Sequence, residues 1–349
     1  MVIQSNSGEF FNTLAQTGTA ISQKGGIFLS GNGTDLSDEK TRRSKGKKKL
    51  VSQHLSFELM EIANEKGNSK LEKTFRNTYY CMDRVHVAEG RMYGKYCKNR
   101  LCTTCLGIRK ADIVNKYLPV IQTWPEPYFV TLTVKAVSAS RLRDHMRSML
   151  KGLKKIISKH RKQYQRGTGK KLVGIHSLEC NFNPVTRTYN PHFHFLVPDK
   201  ETASLLLEEW IAYSKNHRVS RNAQDMRRVH SNEACLVEIV KYGSKIFTEV
   251  DATITPSLKN SHKIYLKALY TIVEAMQSLR LFDRFGFNLP QVGQRPEALT
   301  TYFEHYQQGY YDTSRATWVE TSSGQSLMDY TPNPSVTYLL ENCLDTLNC

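Results

Sequence analysis

The sequence predicts an α+β fold in which strands of an antiparallel sheet are interspersed with helices. Three observations predict it. Residues 128–134 (YFVTLTV) form a β-branched run. Residues 171–180 (KLVGIHSLEC) and 190–197 (NPHFHFLV) are two further strand-like stretches joined by a turn-rich link, which makes them antiparallel partners. Residues 138–165 carry apolar residues at helical spacing. The chain has 349 residues and is 40% hydrophobic, enough for a real core and for two or three domains, and it contains no repeats.

Taken in order, residues 1 to about 50 are rich in Ser, Gly, Thr and Lys and end in the basic run Thr41–Lys49. They read as a flexible arm, part of a flexible basic N-terminal region over 1–75 that either grips phosphates non-specifically or is simply solvated. Residues 76–110 hold a cysteine cluster. The strand at 128–134 follows, then the helix at 138–165, with Leu142, Met146, Met149, Leu153, Ile156 and Ile157 on one stripe and Lys and Arg opposite. Gly167-Thr168-Gly169 ends it. After the two paired strands, helices are expected at 200–215, 233–248 and 262–282. Residues 111–290 thus form the main domain, and 291–349 read as a C-terminal tail of unknown role with few clear elements.

Lys and Arg number 49 against 32 Asp and Glu, a formal net charge of +17. That excess points to a polyanionic partner, of which nucleic acid is the commonest. No apolar stretch is long enough to span a membrane. The first residues lack the layout of a secretion signal, so a reducing cytoplasm is expected, where cysteines are thiols or metal ligands rather than disulfides. Arg166–Lys171 imitates a phosphate-binding loop but lacks its first Gly and final Ser/Thr, which argues against an ATP-driven motor.

Cys102 and Cys105 are a C-x-x-C pair able to chelate Zn²⁺, with Cys97 a third ligand and Cys81 the fourth; His86 is the alternative, since Zn²⁺ accepts Cys₄ or Cys₃His. Lys98, Arg100, Arg109 and Lys110 surround the cluster and are candidates to hold DNA. Cys180, Cys235, Cys343 and Cys349 have no chelating spacing.

In a strand, alternate side chains share a face. His192 and His194 therefore point one way, with Leu196, while Phe193, Phe195 and Val197 point into an apolar layer. Two imidazoles at i, i+2 suit one divalent ion. If the strands pair, Glu179 supplies a carboxylate to the same ion; the other reading is an exposed edge carboxylate. Two His and one carboxylate leave open positions, as a catalytic metal needs, and the carboxylate favours Mg²⁺ or Mn²⁺. Further on, Glu238 and Tyr242 are four apart, hence on one helical face, and Lys241 and Lys245 form a second such pair. A Tyr beside a metal and under cations is a possible nucleophile on phosphorus.

With these motifs in view, the chain resembles the rolling-circle replication initiators of small bacterial plasmids, single-tyrosine type, within the HUH endonuclease superfamily. His192-Phe193-His194 matches the His-hydrophobic-His motif, Phe129–Val134 the apolar strand with threonines, and Glu238 to Lys245 the Glu-x-x-Lys-Tyr-x-x-Lys motif. The family also has a Cys–basic–Cys–x–x–Cys segment ahead of these, with Pro where this chain has Thr103. The resemblance covers roughly residues 80 to 290. It implies the HUH fold, a central antiparallel sheet with flanking helices and a metal on the exposed sheet face, preceded by a small zinc-binding segment. It further implies nicking of single-stranded origin DNA by Tyr242, a 5′-phosphotyrosine, a 3′-OH primer, termination assisted by Glu238, and a host helicase and DNA polymerase as partners. Tyr128, Phe129 and the basic side of the 138–165 helix are expected contacts to the strand. Two other readings are a single-strand transposase of the same chemistry and a non-catalytic, zinc-containing DNA-binding regulator.

Overall fold

A computed structural model describes residues 26–213, 219–229, 259–290 and 300–328. The expected helix at 233–248 lies outside the described residues. In chain order the elements are β1 (Ile27–Ser30), β2 (Thr34–Asp35), α1 (Glu39–Glu65), α2 (Ser69–Tyr79), β3 (Arg84–Ala88), β4 (Arg91–Gly94), α3 (Thr103–Ile121), β5 (Tyr128–Thr133), α4 (Ala139–Gln165), β6 (Gly174–Asn183), β7 (Thr188–Val197), α5 (Lys200–Tyr213), β8 (Asp225–Arg228), α6 (Lys259–Met276), β9 (Phe282–Phe285), β10 (Thr300–Phe303), β11 (Gln307–Asp312) and β12 (Thr317–Glu320). The expected α+β class is what these elements form, and every strand pairing is antiparallel.

The larger sheet that carries the histidines has the order β8-β5-β7-β6-β9. Its centre obeys simple alternation. Val130 and Leu132 of β5, Val134 just after it, Leu178 of β6 and Phe193, Phe195 and Val197 of β7 are buried with Leu142, Met146, Met149, Leu153 and Ile156 of α4 and Leu206 and Trp210 of α5. Each such large side chain contributes about 1.5–3 kcal/mol by leaving water. α4 ends where Gly167 takes a left-handed conformation (φ 71°) and the Thr168 amide bonds back to the Gln163 carbonyl. The opposite face carries Phe129, Ile175 and Leu196, packed against Tyr117 and Ile121 of α3.

The link Asn181–Asn190 is shorter than a turn-rich connection implies. β6 and β7 stay paired as far as Asn183 and Thr188, and only residues 184–187 turn. Asn183 Oδ1 accepts from the Val185 and Thr186 amides, and Arg187 takes a positive φ of 53°, which together close the hairpin.

Two regions differ from the sequence expectation. Within the region expected to be flexible, Thr41–Lys49 lies in the first half of a 27-residue helix, α1, capped by Asp38 through the Thr41 amide. Its buried side includes Lys49, Ser52, Gln53, Ser56 and Glu58, so polar residues stand where an apolar stripe would have revealed it. In the expected tail, residues 300–328 supply β10, β11 and β12. β11 pairs with β3, and β10 pairs with β1, so this segment completes a second sheet of order β12-β11-β3-β4-β2 and a separate β1–β10 pair. No helix among the described residues is long and apolar enough to cross a membrane.

Candidate functional site

Strand register brings the first constellation together. Glu179 lies directly opposite His192, and Ser177 opposite His194. On the other flank Thr131 is opposite His194 and Thr133 opposite His192. Alternation then puts all six side chains on one face, the side of the sheet away from α4 and α5.

Ligand atoms of Glu179, His192 and His194 all lie within 4.8 Å of one another. Glu179 Oε2 is 3.6 Å from His192 Nε2 and 3.3 Å from His194 Nε2. The second ring nitrogens are already engaged. His192 Nδ1 sits 3.0 Å from the Asn190 carbonyl, which only accepts, so Nδ1 carries the hydrogen and Nε2 keeps its lone pair for the shared point. His194 Nδ1 is 3.0 Å from Thr131 Oγ1. Ser177 Oγ donates to Glu179 Oε1 at 2.9 Å, leaving Oε2 directed at the imidazoles. Outer partners that orient ligands in this way are the usual surroundings of a bound metal. The donor set therefore fits a divalent ion held by two imidazoles and one carboxylate with positions to spare.

All three ligands are buried, so Glu179 is not an exposed edge carboxylate and the ligands do not lie open on the sheet surface. Phe129 is also buried, its ring 5.1 Å from that of His194, which makes it a wall of the site rather than a stacking platform. The basic side of α4 lies on the far side of the sheet from the triad, because α4 packs on the Phe193/Phe195 face. Ser177, Thr131 and Asn190 were not singled out from sequence, although the same period-two rule that pairs the histidines selects each of them.

Tyr242, Glu238, Lys241 and Lys245 lie outside the described residues.

The second constellation is the cysteine cluster. Sulfurs of Cys81, Cys97, Cys102 and Cys105 also lie within 4.8 Å of one another, and Cys105 Sγ is 3.6 Å from those of Cys81 and Cys97. Cys102 is the N-cap of α3 and Cys105 sits in its first turn; a loop delivers Cys97, and Cys81 follows α2. Backbone amides point at the sulfurs: Cys97 N at Cys81, Lys98 N at Cys105, Asn99 N at Cys97 and Cys105 N at Cys102, at 3.2–3.5 Å. Lys98 has a positive φ of 57°, which turns the loop so that two successive amides can do this. Hydrogen bonds from the thiols of Cys105, Cys81 and Cys97 pull Cys102 far below the usual thiol range, and the α3 N-terminus favours the same thiolate. Four convergent sulfurs with amide donors behind them fit Zn²⁺. His86 lies outside this group, on β3, with its ring 5.8 Å from that of Tyr306.

Lys49 was not foreseen at all. Only 2% exposed, it donates from Nζ to the carbonyls of Tyr79 (2.8 Å) and Cys81 (3.0 Å), with Asp83 at 3.7 Å. Burial pushes its ammonium below the usual range, opposed by Asp83. Of the basic residues expected to hold DNA, Arg109 donates to the Lys98 carbonyl and Arg100 to the Leu279 carbonyl, so both brace the cysteine loop. Lys98 is exposed.

Comparison with known proteins bears on both constellations. The family model Rep_1, described as Replication protein, matches residues 91–283, more than half of the chain, a span that includes the triad and three of the four clustered cysteines. A "Protein rep" of Bacillus amyloliquefaciens is 27% identical over 190 residues, covering 50% of this chain and 55% of that relative. One from Bacillus sp is 32% identical over 108 residues, 30% of this chain and 34% of that relative. Another, from Staphylococcus aureus, is 25% identical over 167 residues, 46% of this chain and 66% of that relative. The chain thus spans about half the length of the first of these relatives. No solved structure matches it.

Proposed function

The chain belongs to the Replication protein family, and from that premise we propose that it initiates plasmid rolling-circle replication as a metal-dependent, site-specific DNA nickase of the HUH type. The observation that carries the proposal is the triad itself: two imidazoles and a carboxylate, each fixed by a partner behind it, converge on one point. A divalent ion such as Mg²⁺ or Mn²⁺ held there would polarise a phosphodiester and neutralise charge developing on it.

The rest of the chemistry falls to the chain's own groups. Tyr242 gives up its phenolic proton to water and its oxygen attacks phosphorus. The P–O bond to the 3′ oxygen breaks, and that oxygen takes a proton from water and leaves as a 3′-OH. The tyrosine keeps the 5′ phosphate as an ester, so the bond's energy is retained for rejoining without ATP. Lys245, three residues after Tyr242, and Lys241, beside it in sequence, favour the phenolate and the charged phosphate. Glu238 takes a proton from water in the terminating cleavage. Glu179, His192 and His194 would hold the metal; Cys81, Cys97, Cys102 and Cys105 would hold a structural Zn²⁺; Lys98 and Lys110 would be phosphate contacts. Origin DNA in single-stranded form is the substrate, and a host helicase and polymerase supply strand separation and synthesis. The site of action is the bacterial cytoplasm.

The test is direct. Protein, Mn²⁺ and single-stranded oligonucleotides from its own replicon are mixed, and an adduct resistant to denaturation is sought. The adduct is expected in the wild type, mapped to Tyr242, and absent from Tyr242→Phe. An adduct that persists in Tyr242→Phe, or nicking with no adduct, overturns the proposal.

A further inference from the structure

Beyond the triad, the sheet narrows to a two-stranded ribbon. β5 pairs with β7 only as far as Thr133 opposite His192, whereas β6 and β7 continue from Cys180 opposite Pro191 to Asn183 opposite Thr188. The back of this ribbon is anchored. Tyr189 is buried and bridged to Val137, the Phe182 and Tyr189 rings lie 5.1 Å apart, and Tyr265 of α6 meets Phe182 at 6.0 Å. The front is not packed in this way. Alternation places Asn181, Asn183, Thr188 and Asn190 on the same face as Glu179 and His192.

These front residues have different tasks. Asn190 Oδ1 accepts from Thr133 Oγ1, and Asn183 Oδ1 holds the turn. Asn181 is exposed, and neither task falls to it. Two residues from Glu179 along one strand, it stands about 7 Å from that ligand's backbone. The turn beyond it is open, with Val185 90% exposed and Arg187 exposed beside it. Lys135, also exposed, follows β5 at the triad end. From Cys180 to Pro198 the chain contains no Asp or Glu. Among the described residues, the ribbon itself therefore offers amides and a cation and no carboxylate to repel a phosphate.

We propose that the front of this ribbon is the sequence-reading track for the single strand beside the scissile phosphate, with Asn181 contacting a base edge and Arg187 a backbone phosphate. The proposal rests on the nickase reading for the position of that phosphate. An Asn amide pairs bidentately with adenine, and single-stranded bases expose the edges it needs. Arg187 acts without regard to sequence. The packed back of the ribbon keeps the amide at a fixed distance from the metal ligands, which converts base identity into the position of the cut.

The experiment compares wild type, Asn181→Ala and Arg187→Ala, each checked for unchanged melting, on a nicked oligonucleotide and on variants with each flanking base replaced in turn. Wild type is expected to discriminate on the order of tenfold or more at a position close to the nick, and Asn181→Ala to lose that discrimination there and nowhere else. Arg187→Ala is expected to weaken binding of a short fluorescent oligonucleotide uniformly and to lower its salt slope by about one. Wild-type discrimination in Asn181→Ala together with wild-type binding in Arg187→Ala overturns the ribbon proposal while nicking itself stands. If the wild type does not nick, the reading of the triad fails instead. The ribbon is then judged by oligonucleotide binding alone, where loss in both variants supports it and no change rejects it.

Discussion

The molecule builds its two candidate metal centres on opposite plans. The cysteine centre closes on itself: four sulfurs come from the residue after α2, a loop and the first turn of α3, with backbone amides directed at them. The glutamate–histidine centre leaves coordination positions open: three buried ligands project from the middle of a sheet whose register is set by many other pairs. A closed set makes the metal part of the fold, because the ligands come together only around it. An open set makes the fold part of the metal site, because the strands hold the ligands in place whether or not an ion is bound. On the proposed function, the difference places the first centre's energy in stability and the second's in chemistry.

The largest expected effect separates the two plans. Strong chelation of zinc, or Cys102→Ser, is expected to unfold the part of the chain around α1, α3, β3 and β11, a loss on the order of 10 kcal/mol in apparent folding free energy. Circular dichroism and limited proteolysis read it, and an unchanged melting curve would break the comparison. Next, His192→Ala with His194→Ala is expected to leave melting nearly unchanged while nicking falls on the order of a thousandfold, several kcal/mol of lost charge stabilisation. Unfolding of that variant would make the second centre structural too. Glu238→Ala sharpens the account of the open centre. It is expected to nick normally but to slow termination on the order of a hundredfold in a two-site oligonucleotide assay; equal loss of both steps points instead to a metal or structural role.

A third histidine gives an effect of comparable size and a useful control. His176 is on the other face of β6, enclosed by Phe193, Phe195 and Phe285, with Asp283 and Arg280 as the nearby charges. Burial lowers its pKa to about 4. The unfolded chain therefore binds this proton more readily, so stability is full above about pH 6.5 and is lost as pH falls toward 4, by about 3 kcal/mol. Equilibrium unfolding at a series of pH values is expected to show this dependence in wild type and to lose it in His176→Phe.

That contrast also shows what could be read from the sequence. Three histidines sit on two adjacent strands, and residue type does not distinguish ligand from core packer. Spacing does: His192 and His194 at i, i+2 point together, whereas His176 stands among residues destined for the core. The cysteine group was legible because three of its members lie within nine residues, and α4 because its stripe is unbroken. α1 was not, since Lys49, Gln53 and Glu58 occupy its buried side. Nor was the pairing of β11 with β3, because short strands more than 200 residues apart carry no mark of their partner. Lys49 in particular is explained only by the assembled structure, where it ties α1 to the end of α2 and the Cys81 carbonyl.

The central claim, that the open centre binds an exchangeable ion independently of the closed one, is tested most directly by electron paramagnetic resonance of Mn²⁺ added to zinc-loaded protein. Wild type is expected to take up one Mn²⁺ with water still coordinated and to retain its zinc, and the His192→Ala, His194→Ala variant to retain zinc but bind no Mn²⁺ at that affinity. Equal Mn²⁺ binding by the variant, or Mn²⁺ uptake matched by zinc release, contradicts the account.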